Sequence, residues 1–257
     1  VFNNVDRLLL TQFVSPADLG LYSIANKLAS MVFVLMAPAT TAWLPIALEM
    51  ADRPDTPRQF ARIFEYFVAG SSALALGIGL FAPEILKVFA RDAYIGAAPY
   101  ALALLAYNGP IGFAFGFMQI APVVRKRTGY ISLAFIVSAT VNIALNLLLM
   151  PVYGVWGAVA ATLLAGVTQI ALLYWLARFV YPIPYRWLRA MALVLGHGSI
   201  VILFAIQPLP WLVWHRAVAL LLMAALTFAL GIVKPTQLLE IARAGAAFAR
   251  RKARFGR

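Results

Sequence analysis

NIALNLLLMPVYGVWGAVAATLLAGV, residues 142–167, consists of two apolar runs parted by Pro151, Val152, Tyr153 and Gly154. Extended outward to about residues 129 and 177, each run reaches the roughly 20 residues that a membrane-spanning helix needs. The runs are continuous instead of alternating every second residue. Their backbone must therefore be satisfied inside helices, which excludes a barrel. The hairpin sets the fold class: an all-α integral membrane protein built as a polytopic helical bundle. It also poses a question, because an apolar segment that keeps Asn142 and Asn146 four residues apart must give both amides something to bond.

Composition agrees with the hairpin. Of 257 residues 63% are hydrophobic and 12% are charged, too little polar surface to cover a water-soluble domain of this size. Eight apolar segments run at approximately 1–14, 17–49, 63–82, 97–122, 129–150, 155–177, 188–206 and 211–233. The first is too short to cross a bilayer and reads as the end of a truncated helix, which leaves seven complete spans. The chain opens on Val1 with no leader-like pattern, so it is expected to be part of a longer one. Residues 1–233 form the transmembrane domain, and 234–257 form a basic tail.

Charge sets the orientation. Sixteen of the 21 basic residues fall in one set of alternate loops and the tail, among them Arg53, Arg58, Arg62, Arg125, Lys126, Arg127, Arg178, Arg186, Arg189 and Lys234. The opposite loops hold only Lys87, Arg91 and Arg216. The positive-inside rule then places the basic loops and the tail in the cytoplasm, and it accounts for most of the +12 net charge without a nucleic-acid partner. Tyr153 and Trp156 at one end of the hairpin, and Tyr174 and Trp175 at the other, suit two interfacial belts. PEILKVFARDAYIG, residues 83–96, mixes apolar and charged positions as a short interfacial helix does.

Catalytic chemistry finds no foothold. The chain has no cysteine, two histidines (His197 and His215) and nine carboxylates, most of them in loops. No His-x-x-x-His, paired-carboxylate or Gly-x-Ser-x-Gly arrangement occurs. The chain is not read as an enzyme, and no cofactor or resident metal is expected.

Charges at membrane depth are the informative residues. Ser15, Pro16 and Asp18 read as the capped start of the second helix. Lys27 then lies about 18 Å along that helix and Asp6 about 13 Å up the preceding one. Each buried charge costs on the order of 2.5–3.5 kcal/mol by insertion scales, so it persists by pairing or by lining a watery cavity. Asp6 and Lys27 could pair across the turn. Arg7 would then be left over, because neighbours on a helix point about 100° apart and one carboxylate cannot serve both cations. Asp6, Arg7 and Lys27, with Asn26 beside Lys27, are the candidate substrate-facing set, and Asp6 could instead hold a coupling ion.

At these residues the chain resembles a known family. VDRLLLTQFVSPADLGLYSIANKLASMV, residues 5–32, is similar to the Asp-Arg then Gly-x-Tyr-x-x-Ala hairpin of polysaccharide flippases in the multidrug/oligosaccharidyl-lipid/polysaccharide exporter superfamily. The matching positions are Asp6, Arg7, Gly20, Tyr22 and Ala25. FAPEILKVFARDAYIGAAPYALALLAYN and the 142–167 hairpin resemble two further motifs of the family in the same order. The likeness covers residues 1 to about 178, and beyond that only hydropathy matches. It implies a parent of about twice this length with two helical lobes around a cavity, this chain being the C-terminal lobe and lacking its N-terminal partner.

Asn142 and Asn146 share one helix face and read as interhelical glue, with substrate contact as the alternative. Gly157, Ala158, Ala161 and Ala165 on the following helix allow the close approach such bonding needs. Pro38 and Pro45 lack amide donors and are expected to bend the long second helix into a hinge. The resemblance implies a bacterial inner-membrane flippase that moves polyprenyl-pyrophosphate-linked oligosaccharide units by alternating access among membrane lipids, with Arg7 and Lys27 on the anionic head. The alternatives are a multidrug or toxin cation antiporter of the same superfamily and a non-transporting subunit of a polysaccharide synthase.

Overall fold

The computed structural model describes residues 2–90, 92–207 and 211–233, with side chains from residue 5 onward. The basic tail at 234–257 and Arg91 lie outside the described residues. Among the described residues every regular element is helical. Short α1 (Phe2–Leu10) turns into α2 (Pro16–Met50), then come α3 (Thr56–Leu80) and the short α4 (Ala82–Phe89). A continuous helical run, Asp92–Val124, contains α5 (Ala98–Ala106), a π turn (Tyr107–Ile111), α6 (Gly112–Met118) and α7 (Ile120–Val124). The hairpin α8 (Gly129–Tyr153) and α9 (Val155–Ala177) follows, and α10 (Trp187–Ala205) and α11 (Val213–Ala229) close the bundle.

Six of these helices are long and apolar enough to cross a membrane. The expected seventh, α11, has 17 residues, about 25 Å of rise against a hydrocarbon core of about 30 Å. The last apolar segment was expected to span 211–233; its helix is shorter at both ends.

Local chemistry explains the boundaries. Ser15 caps α2 as its spacing implies, its hydroxyl accepting from the Asp18 amide at 3.2 Å with Pro16 in the first turn. Pro38 and Pro45 do not interrupt α2, which stays helical from Pro16 to Met50. A departure from α-helical hydrogen bonding falls at Pro110. There the chain widens into a π turn, and the Gly112 amide reaches the Tyr107 carbonyl five residues back. A proline removes one amide from the helical ladder, and a π turn absorbs the mismatch. Beside it, a Cβ on Gly109 would meet Ala75 Cβ at 2.6 Å and the Ser71 carbonyl at 3.0 Å. The glycine lets this widened turn press directly on α3.

The 92–124 run forms the buried centre, packed by α2, α3, α9 and α10. Near one end of the bundle an aromatic cluster fills the space between α2, α3 and α6, with Trp43 stacked on Phe117 at 4.7 Å and Phe60 edge-on to Trp43 at 5.2 Å. Tyr181 ties two loops together there, donating to the Ala51 carbonyl at 3.0 Å while Arg125 lies over its ring. Burial pushes the Tyr181 phenol above its ordinary pKa, which keeps this donor protonated. At the other end of the hairpin, Gly154 has φ +53°, a conformation that L side chains rarely adopt. Three residues on, a Cβ at Gly157 would stand 2.5 Å from the Leu149 carbonyl oxygen. The small-residue face of α9 is buried against its neighbours as expected: Gly157, Ala158, Ala161 and Ala165 have no large side chain to hold the helices apart.

Candidate functional site

α1 touches α2, α8 and α9, and the junction of these four helices encloses one carboxylate. Asp6 is completely buried. Its Oδ2 accepts from the Thr162 hydroxyl on α9 at 2.9 Å and from the Tyr22 hydroxyl on α2 at 3.2 Å. Its Oδ1 accepts from the Asn146 amide on α8 at 2.5 Å, and the same Asn146 nitrogen lies 3.2 Å from Asn142 Oδ1 one turn away. Asn142, Asn146 and Thr162 are as buried as the carboxylate they surround.

The cage is rich in oxygen and poor in positive charge. The ion pairs among the described residues involve Glu49, Glu65 and Glu84, and none reaches Asp6. The Thr162 hydroxyl has a single proton, yet it stands within hydrogen-bond reach of both Asp6 and the Ala158 carbonyl, the latter at 3.0 Å. Asn146 Oδ1 is buried without a donor, and Asn142 Nδ2 without an acceptor. A buried carboxylate with no countercharge is costly. Two chemical events relieve it: protonation, or entry of a cation toward which the Asn146 amide turns its oxygen. Asp6, Thr162, Asn142, Asn146, Tyr22 and the Ala158 carbonyl provide hard oxygens but one formal negative charge. That donor set matches a monovalent hard cation better than a divalent one. Among the described residues no group of three or more His, Cys, Asp or Glu side chains is placed to hold a metal.

The cross-turn ion pair does not form. Lys27 is exposed and Asp6 is turned toward α8 and α9. The reason lies in the α2 stripe: Tyr22, Ala25, Leu28, Ala29 and Val32 are buried, and Lys27 falls off that stripe, with Asn26 half-buried beside it. Arg7, next to Asp6, is exposed on α1. The roughly 100° step between neighbours on a helix thus separates a caged carboxylate from an outward guanidinium. Asn146 bonds between helices, but its partner is α1, through Asp6, and not the α9 backbone, whereas Asn142 accepts from Asn146 within α8. His197 is fully buried in α10.

Thr162 enters the site unforeseen, and Tyr22, expected only as a position of the family motif, enters it as a donor to Asp6. Each lies on a buried face, since Thr162 is the one buried hydroxyl of α9 and Tyr22 lies on the stripe of α2 that faces the bundle. Comparison of the chain with protein-family models, curated proteins and solved structures finds no match. The class that the fold defines is an all-helical bundle with membrane-spanning character.

Proposed function

We propose that the chain is a lobe of a membrane flippase for lipid-linked oligosaccharides, working by alternating access and coupled to a monovalent cation or proton at Asp6. The observation that carries the reading is the separation of two electrostatic sites, a caged carboxylate on α1 and exposed cations on α1 and α2. Arg7 and Lys27 are exposed within apolar helices, while Asp6 is enclosed among neutral oxygens. Exposed charges at membrane depth avoid lipid and line a watery cavity. Two cations on such a face suit an anionic pyrophosphate head. The two sites communicate through α1 itself, so filling the cage on one side shifts the helix that presents Arg7 on the other.

The same features speak against the antiporter reading. An organic cation would meet Arg7 and Lys27 first, and the Asp6 cage is closed by hydrogen bonds to three side chains. The test uses the full-length parent in cells that depend on it for surface polysaccharide. Arg7→Gln and Lys27→Gln should each cut export while the protein still inserts, and the lipid-linked precursor should accumulate on the inner leaflet. Arg7→Lys should restore export only in part, because the planar fork is lost. Normal export in both glutamine variants would remove the anionic-head reading.

A further inference from the structure

At the end of the bundle that carries Arg58, Arg125 and Arg186, a cavity of about 270 Å³ opens between the N-terminal half of α3, the start of α10 and the turn that follows α11. Arg62, Glu65, Tyr66, Arg186, Arg189 and the turn at Gly231 and Ile232 line it. Three guanidinium groups face one carboxylate there, which leaves a local surplus of two positive charges. Glu65 is 2% exposed and draws in Arg186 at 3.9 Å and Arg189 at 3.7 Å, both through Oε2. Those separations exceed hydrogen-bond length. Among the described residues no acceptor takes a hydrogen bond from Arg62, Arg186 or Arg189, so their donors stay available. Glu65 Oε1, equally buried, has no donor.

We infer that this cavity binds the headgroup of an anionic membrane lipid whose phosphodiester carries a hydroxylated alcohol, as in phosphatidylglycerol. The phosphate answers the two surplus guanidinium groups with charge-assisted hydrogen bonds. A headgroup hydroxyl answers the unpartnered Glu65 oxygen, which a phosphate alone would repel. Depth fits as well: Trp187 packs on Tyr174 at 4.5 Å and on Tyr185 at 5.4 Å beside the arginines, and such aromatic clusters lie at headgroup level. Basic pockets between membrane helices take anionic headgroups in this way. The volume suits a headgroup alone, since whole-ligand pockets run from about 300 to 1,000 Å³. The site is separate from the Asp6 cage and stands whether or not the chain belongs to a flippase.

Native mass spectrometry of the full chain in mixed micelles tests the assignment, with dioleoyl-phosphatidylglycerol, dioleoyl-phosphatidylcholine and inorganic phosphate as probes. Phosphatidylglycerol should be retained in preference to phosphatidylcholine, and Arg62→Gln should weaken it by about tenfold, the value of one charge-assisted bond. Arg186→Gln with Arg189→Gln should weaken it further, while exposed Arg127→Gln should leave it unchanged. Arg62 takes no part in the Glu65 ion pairs, so its variant reads binding even if the double variant fails to fold. Equal retention of phosphatidylcholine, or unchanged retention in Arg62→Gln, would overturn the site. Equal protection by inorganic phosphate would overturn its assignment to a lipid.

Discussion

The Asn146 amide donates to the Asp6 carboxylate at 2.5 Å across 140 positions of sequence, joining the first helix of the chain to the hairpin that defines its fold. Both residues are fully buried, so neither can substitute water for the other. A double-mutant cycle of Asp6→Ala and Asn146→Ala, read as thermal unfolding in detergent, should show non-additivity of about 0.5–3 kcal/mol. Strict additivity would mean that the bond contributes nothing to the fold.

Sequence and structure part company at this same bond. The hairpin, the Ser15 cap and the helix α4 were legible because each is a local pattern of hydropathy or capping. Asp6 was legible as costly, but not its partners. Which of Lys27, Asn146 and Thr162 meets a carboxylate depends on how four helices are rotated about their axes, and hydropathy constrains that only loosely. Pairing by opposite charge favoured Lys27. Packing decided otherwise, because the α2 stripe through Ala25 and Leu28 buries one face and leaves Lys27 outside it. The π turn at Pro110 escaped notice for a related reason: hydropathy carries no sign of it, and the widening shows only in the bond from the Gly112 amide to the Tyr107 carbonyl.

Gly157 should tolerate no side chain. A Cβ there would stand 2.5 Å from the Leu149 carbonyl oxygen, a backbone atom that cannot swing aside, and overpacking of this kind costs about 1–3 kcal/mol. Gly157→Ala should lower membrane abundance and unfolding temperature. Gly77→Ala, where nothing lies within 4 Å, should leave both at the parent level.

Arg216 on α11 is 2% exposed and donates to Glu84 on α4 at 2.6 Å and to the Trp211 carbonyl. The pair is asymmetric, since the Glu84 side chain is 54% exposed and can be rehydrated while Arg216 cannot. Removing the carboxylate strands a buried cation, whereas Arg216→Met removes the charge and keeps volume. Glu84→Ala should therefore destabilise the protein more than Arg216→Met in thermal melts. The reverse order would show that Glu84 is dispensable to the clamp.

The absence of cysteine from the chain makes topology directly measurable. With one cysteine placed at Arg125, a membrane-impermeant maleimide should fail to label intact cells and should label inverted vesicles, as the distribution of lysine and arginine requires. One placed at Lys87 should behave in the opposite way. Labelling of the Arg125 site from outside would invert the assigned orientation.

The coupling of a caged carboxylate to lipid-linked oligosaccharide movement is tested most directly in proteoliposomes. They would contain the protein and a fluorescent polyprenyl-pyrophosphate oligosaccharide, scored by quenching from the outer side. An imposed sodium or proton gradient should accelerate translocation in the parent protein. Asp6→Asn, which keeps the shape of the side chain and removes its charge, should insert normally and lose the response to either gradient. An Asp6→Asn protein that translocates at the parent rate with its gradient response intact would contradict the account.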